Sequence, residues 1–215
     1  MRVLTISDQI ELALYTPTIS ARLGKIDLVL CCGDLPFYYI DFVSSVLSAP
    51  CYYVFGNHAQ GLEHGETLAP HHFSGADLDG RLVREGGVLV AGLEGARRYN
   101  QTLHFQYTDL EMWLKVIGLI PALLRARARN GRFLDILITH SPPLGIHDGP
   151  DRAHIGFASF LTFMRWFRPR FLIHGHKHVY GRSEVTVTQY HATTVINTFG
   201  YRIIEVSPKG GSVER

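Results

Sequence analysis

Residues 26–34 read Ile26-Asp27-Leu28-Val29-Leu30-Cys31-Cys32-Gly33-Asp34, an apolar run of strand length that stops on a glycine and an aspartate. A continuous run, rather than an alternating one, suits a strand covered on both faces. The same construction recurs on either side. Val3–Ser7 ends on Asp8, Tyr52–Phe55 on Gly56-Asn57-His58, Leu134–Thr139 on His140, and Phe171–His174 on Gly175-His176-Lys177-His178. Val88–Leu93 is one more run of this kind. Helical spacing fills the intervals. Ile40–Leu47 is stopped by Pro50. Thr108–Arg129 opens on a capping Thr with Glu111 three residues on, and Gly118 and Pro121 are expected to kink or split it. Phe157, Phe160, Leu161, Met164 and Phe167 repeat at helical spacing before Arg168-Pro169. Toward the end, Glu184–Thr188, Thr193–Thr198 and Tyr201–Val206 alternate more and are parted by short turns, which predicts an antiparallel meander. With no repeat, low-complexity tract or linker, residues 1–215 read as a single α/β domain.

Composition narrows the partners. Hydrophobic residues make up 46% and charged residues 19% of the 215, a globular balance, and the formal net charge of +2 is too small to mark nucleic acid or an anionic membrane as partner. Arg125, Arg127, Arg129 and Arg132 form a local cluster, read as a solvated helix face with nucleic-acid contact as the alternative. Cys31, Cys32 and Cys51 match no disulfide framework and no zinc spacing, and read as buried thiols. The chain opens directly on a strand pattern without a signal peptide, and no apolar stretch approaches the roughly 20 residues that span a bilayer. The expected location is therefore cytoplasmic.

The residues just past each strand carry the chemistry. In an open α/β sheet, ligands gather beyond the carboxyl ends of the strands. Five strands here deliver Asp, Asp, Asn-His, His and His-x-His to one edge. Gly33, Gly56 and Gly175 stand just before polar residues, where backbone must turn sharply and approach an ion or phosphate. Oxygen ligands from Asp8, Asp34 and Asn57 mixed with imidazoles suit Mn²⁺, Fe²⁺ or Zn²⁺. One carboxylate could bridge two ions about 3.5–4 Å apart, an arrangement used for in-line phosphoryl displacement.

The ordered set Asp8, Gly33-Asp34, Gly56-Asn57-His58, His140 and Gly175-His176-Lys177-His178 resembles the calcineurin-like metallophosphoesterase superfamily over residues 1 to about 200. The stretches from Thr139 to Gly145 and from Gly175 to Gly181 look like a branch of small phosphodiesterases. The resemblance implies two packed β-sheets flanked by helices, and divalent metal ions, two in number. It implies that Asp34 bridges them, that Asp8 and His178 hold the first, and that Asn57, His140 and His176 hold the second. It further implies that His58 is the catalytic histidine, acting on the leaving oxygen or on phosphate charge. The sequence departs from the family pattern at Ile10, where the first motif, Asp-x-His, has its histidine. The first site therefore lacks an imidazole: either Gln9, Glu11, water or a histidine from elsewhere stands in, or the first site is weak. Ala59 also replaces a common acidic residue after Gly-Asn-His.

Other residues stay open between function and structure. The loop His147 to His154 could supply a replacement metal ligand, meet substrate through Arg152, or be a plain turn. Arg97, Arg98, Tyr99 and Asn100 could face the pocket, with Arg97 gripping a phosphate, or form a structural turn. His64, His71 and His72 read as a surface loop, with a mobile lid as the alternative, and His174 as a packed or hydrogen-bonded side chain. The reading is a metal-dependent hydrolase of a small phosphodiester or phosphomonoester, using a metal-activated hydroxide. The alternatives are a catalytically weak metal-binding module with a scaffolding or regulatory role, and a nuclease, which would need the Arg125–Arg132 segment beside the pocket.

Overall fold

The structure, a computed structural model, describes residues 1–58, 73–100, 104–181 and 183–207. Two sheets face each other. The first runs β13 (Gly200–Glu205), β1 (Arg2–Ser7), β2 (Leu28–Cys31), β3 (Cys51–Tyr53), β4 (Ala76–Asp77), all parallel except β13, which pairs antiparallel with β1. The second runs β11 (Val187–Tyr190), β12 (Thr193–Asn197), β10 (Phe171–His174), β9 (Ile136–Thr139), β6 (Val88–Leu93), β5 (Leu82–Glu85). Its four central strands are parallel and its two edges antiparallel. A short parallel pair, β7 (Ala96–Arg97) with β8 (Gln106–Tyr107), stands apart.

Successive side chains of a strand point to opposite faces, and both faces here are covered. Val3, Leu28 and Leu30 of the first sheet meet Val88, Val90, Ile136, Ile138 and Ile173 of the second in a central apolar layer. Their neighbours Leu4, Ile6, Val29 and Cys31 face outward against α1 (Ile19–Leu23) and α2 (Phe37–Leu47). Leu89, Ala91, Leu137 and Leu172 face α3 (Asp109–Asn130) and α4 (Ala158–Phe167) on the other side. This layering is why the strand runs are uniformly apolar. Among the described residues, no helix is long and apolar enough to cross a membrane.

Two sequence expectations need correction. The C-terminal strands form only the first half of the expected meander: β11 and β12 pair antiparallel, but β12 lies parallel to β10 on its other side, and β13 crosses over to pair with β1. A hairpin-like spacing does not say which sheet a strand will join, and here Gly200, opposite Ser7 in register, starts the strand in the other one. Nor do Gly118 and Pro121 split the long helix, which runs unbroken for 22 residues. Pro121 removes the N–H that would bond the Ile117 carbonyl, but both residues are exposed, so water can take that carbonyl. The buried stripe of Met112, Val116, Leu119, Leu123 and Ala126 is uninterrupted.

The expected capping box is present. Glu111 N–H donates to Thr108 Oγ1 at 3.2 Å, and Thr108 N–H to Glu111 Oε2 at 2.6 Å. Thr108→Ala is expected to cost about 1 kcal/mol, read as a lowered urea midpoint with unchanged slope. All three cysteines are buried free thiols, as expected from their apolar runs.

Candidate metal centre

The ends of both sheets meet at one edge. β1, β2 and β3 of the first sheet lead into Asp8, Asp34 and Asn57-His58; β9 and β10 of the second lead into His140 and His176-Lys177-His178. The sequence suggested one sheet edge; the structure makes the site from two. Three of these residues, Asp8 (φ 62°), Asp34 (φ 54°) and His176 (φ 64°), take left-handed backbone conformations. Non-glycine residues adopt that region at a cost, and such strain gathers at functional sites. Close packing forces the glycines beside them. A Cβ on Gly56 would lie 2.0 Å from Asp34 Oδ1, and one on Gly175 would lie 1.7 Å from Ser7 Oγ and 2.4 Å from Asp8 Oδ2.

His140 is the centre of the cluster. Its Nδ1–H donates to the Cys32 carbonyl at 2.8 Å, which leaves Nε2 facing the pocket. Around Nε2 stand Asp34 Oδ2 at 3.2 Å, Asn57 Oδ1 at 3.1 Å and His176 Nδ1 at 3.1 Å. His176 Nε2–H donates to the Ala153 carbonyl at 2.6 Å, so its Nδ1 presents a lone pair. Asn57 Nδ2 donates to the Tyr99 hydroxyl at 3.0 Å, so its Oδ1 likewise points inward. With His140 neutral, four lone-pair atoms converge and none of them donates. Only a positive charge at their centre satisfies the ring: a proton on His140 Nε2, or a cation. The donor set, one carboxylate, one amide oxygen and two imidazoles, fits a borderline divalent ion. Ligand atoms of Asp34, His140 and His176 lie within 4.8 Å of one another.

The electrostatics follow the geometry. Burial alone would depress His140, but the charge and hydrogen bond of Asp34 outweigh it and raise the ring above its ordinary value. Asp34 is held below the usual carboxylate range: burial opposes this, and His140 together with the His58 N–H, 2.8 Å from Asp34 Oδ1, overcomes it. His176 is pushed down to about 3 by burial and by the neighbouring His140 charge. Asp8 is raised, chiefly by burial.

Asp8 and His178 sit beside this ring. Asp8 accepts the His176 N–H at 2.9 and 3.1 Å and the Ser7 hydroxyl. His178 Nδ1 pairs with the Tyr180 hydroxyl at 2.8 Å, and its Nε2 lies 3.9 Å from Asp8 Oδ1. Ile10, at the family's histidine position, packs against the core beneath β1 and α2. Of the residues considered as replacements, Gln9 and Glu11 bond to each other at 3.1 Å.

The remaining expectations divide. Tyr99 reaches the site through Asn57, whereas the Arg97 guanidinium is directed to Asp109 (3.1 Å) and the Gly156 carbonyl (3.4 Å). The loop containing Arg152 does touch the site, but through the Ala153 carbonyl and the His154 ring, 5.1 Å from that of His176; Arg152 itself is exposed. His174 is buried and fully bonded, as expected, to the Gly175 carbonyl and to His147 at 3.0 Å each. The arginine cluster lies at the opposite pole, where α3 ends and the chain enters β9. The juxtaposition that a nuclease reading requires is therefore not formed. Ala59, His64, His71 and His72 lie outside the described residues. Two contributors, the Cys32 and Ala153 carbonyls, are backbone atoms with no signature in a sequence.

Comparison with known proteins agrees with this architecture. The sequence profile described as calcineurin-like phosphoesterase matches residues 1–180. No curated protein gives a significant sequence match. TT1561 of Thermus thermophilus shares the fold with a TM-score of 0.59 at 15% identity, covering 93% of this chain and 89% of that one. Wild-type Vps29 from Entamoeba histolytica, solved with Zn²⁺, aligns with a TM-score of 0.46 at 12% identity, covering 97% and 87%.

Proposed function

The chain belongs to the calcineurin-like phosphoesterase family, and from that premise we propose that it hydrolyses a small phosphate ester, a phosphodiester in preference to a polymer, at the pocket around Asp34 and His140. The convergence of four lone-pair atoms on one point supports this reading most directly. Asp34, Asn57, His140 and His176 would hold a divalent ion of the Mn, Fe or Zn class, and Asp8 and His178, sharing Asp34, a second. When bound, such ions lower the pKa of water and neutralise phosphoryl charge. The protein's own groups do the rest. Cys32 and Ala153 carbonyls fix the tautomers of His140 and His176, and Tyr99 fixes the face that Asn57 presents. Asp34 anchors the His58 backbone, placing that residue at the pocket rim, where we assign it the proton delivered to the leaving oxygen. A cytoplasmic location accords with three buried free thiols.

The test is turnover of bis-p-nitrophenyl phosphate with added Mn²⁺. Wild type is expected to exceed both His58→Ala and Asp34→Asn by about 100-fold or more. Equal rates in all three would remove the hydrolase reading. One observation favours a second reading, a metal-binding module with weak turnover: Ile10, partly buried against the core, leaves Asp8 and His178 short of an imidazole. Tight Mn²⁺ binding in calorimetry, without turnover, would select it.

A further inference from the structure

Helix α3 is apolar on two opposite faces. Met112, Val116, Leu119, Leu123 and Ala126 are buried against the second sheet and α4. Half a turn away, Leu110, Leu114, Ile117, Pro121, Leu124 and Ala128 recur at alternating intervals of four and three and face solvent. Leu110 is 69% exposed, Leu114 59%, Ile117 51% and Leu124 56%. Apolar spacing of this kind is the seam of a helix that packs on another helix. Trp166 of α4, 55% exposed and 5.8 Å between ring centroids from Trp113, widens the patch on one flank.

We propose that this face joins two copies of the chain, with the α3 helices packed antiparallel about a twofold axis near Gly118. Three observations select this occupant. First, a glycine inside a helix costs about 1 kcal/mol relative to alanine, yet among the described residues nothing beyond the helix's own backbone lies within 4 Å of where a Gly118 Cβ would be. Gly118 borders the seam at its middle, where a missing side chain lets two helices approach. Second, charge is divided along the face. Asp109 and Glu111 stand at its start; from residue 112 to 130 there is no acidic residue, and Arg125, Arg127 and Arg129 flank its end. Asp109 and Glu111 already hold Arg97 and Arg98, so the starting end is near neutral and the far end carries the cationic excess. Parallel copies would oppose arginine to arginine. Antiparallel copies set each arginine end against the near-neutral start of its twin, which avoids that repulsion, and also pair the helix dipoles favourably. Third, the seam is self-complementary: an antiparallel twofold sets Leu110 opposite Ala128, Leu114 opposite Leu124, and Ile117 opposite Pro121. An isologous contact needs this property.

Sedimentation of the full chain at micromolar concentration is expected to give the mass of two chains. Ile117→Glu and Gly118→Leu should each halve that mass while the circular dichroism of the fold is kept. Gly118→Leu is the sharper variant, because it improves helix propensity and its Cβ meets nothing among the described residues. Under oxidation, Gly118→Cys should cross-link to itself. Leu110→Cys should not, but should link when mixed with Ala128→Cys. A single-chain mass at every concentration would overturn the proposal and leave the face to another protein or to none. So would a two-chain mass that survives both substitutions, and self-linking of Leu110→Cys would replace the antiparallel arrangement by a parallel one.

Discussion

Gly56→Ala is expected to abolish Mn²⁺ binding while leaving a folded protein, although the added group is a single methyl. Gly56 has no unusual φ, so the backbone itself would accept alanine. The obstacle is what the methyl meets: Asp34 Oδ1 at 2.0 Å, Asp34 Cγ at 2.5 Å and His140 Cε1 at 2.7 Å. Asp34 cannot yield along its own bonds without releasing the His58 N–H, and His140 is fixed on its other side by the Cys32 carbonyl. Both move, and the four-atom ring opens. Ligand displacement on that scale exceeds the 10–100-fold losses typical of altered supporting contacts, so affinity should fall by about 100-fold or more. Calorimetric titration with Mn²⁺ reads the effect, with a thermal melt to show that the fold survives. Gly80→Ala is the contrast: its Cβ meets nothing within 4 Å among the described residues, its φ of +64° brings strain, and stability should drop with Mn²⁺ affinity unchanged. If Gly56→Ala bound Mn²⁺ as tightly as wild type, the ion would have to sit elsewhere.

The same residues show why the site could be read from sequence and where that reading stopped. Asp8, Asp34, Asn57, His140 and His176 each come close behind an apolar run, so a purely local pattern locates them at strand ends. The strands are apolar throughout because helices and the facing sheet cover both sides, and that too leaves a local mark. Partner choice leaves none. Gly200 to Glu205 pairs with Ser7 to Arg2, almost the full length of the chain away, and nothing in the Thr198-Phe199 turn distinguishes this from a hairpin to β12. Backbone donors and acceptors are equally silent: Ala153 orients His176 through a carbonyl that any residue would possess. Pro121 misled for the opposite reason, since its rule concerns a carbonyl that here simply faces water.

Asp135→Ala is expected to destabilise the protein by about 3–5 kcal/mol, the cost of leaving a buried ion pair without one partner, without changing how the remaining folded molecules bind Mn²⁺. Asp135 is 1% exposed and precedes β9 at the pole opposite the candidate centre. Its carboxylate accepts the Leu89 N–H at 2.9 Å and takes Arg132 through Nε and Nη2 at 2.8 Å each, with Arg170 Nη1 3.9 Å away. One side chain thus straps the start of β6 to the start of β9. Removing it orphans the Leu89 N–H and takes the carboxylate from two partly wet guanidinium groups, which keep the Gly87 carbonyl (Arg132) and the Ser207 carbonyl (Arg170). Arg132→Met should cost less than Asp135→Ala, because Arg170 and the Leu89 N–H would still serve the carboxylate. The double variant should cost less than the two single costs added, as expected for residues sharing one network. Urea unfolding reads all three. A loss under about 1 kcal/mol for Asp135→Ala would place the pair among surface-like ion pairs and would mean that the apolar layer between the sheets holds this edge without help.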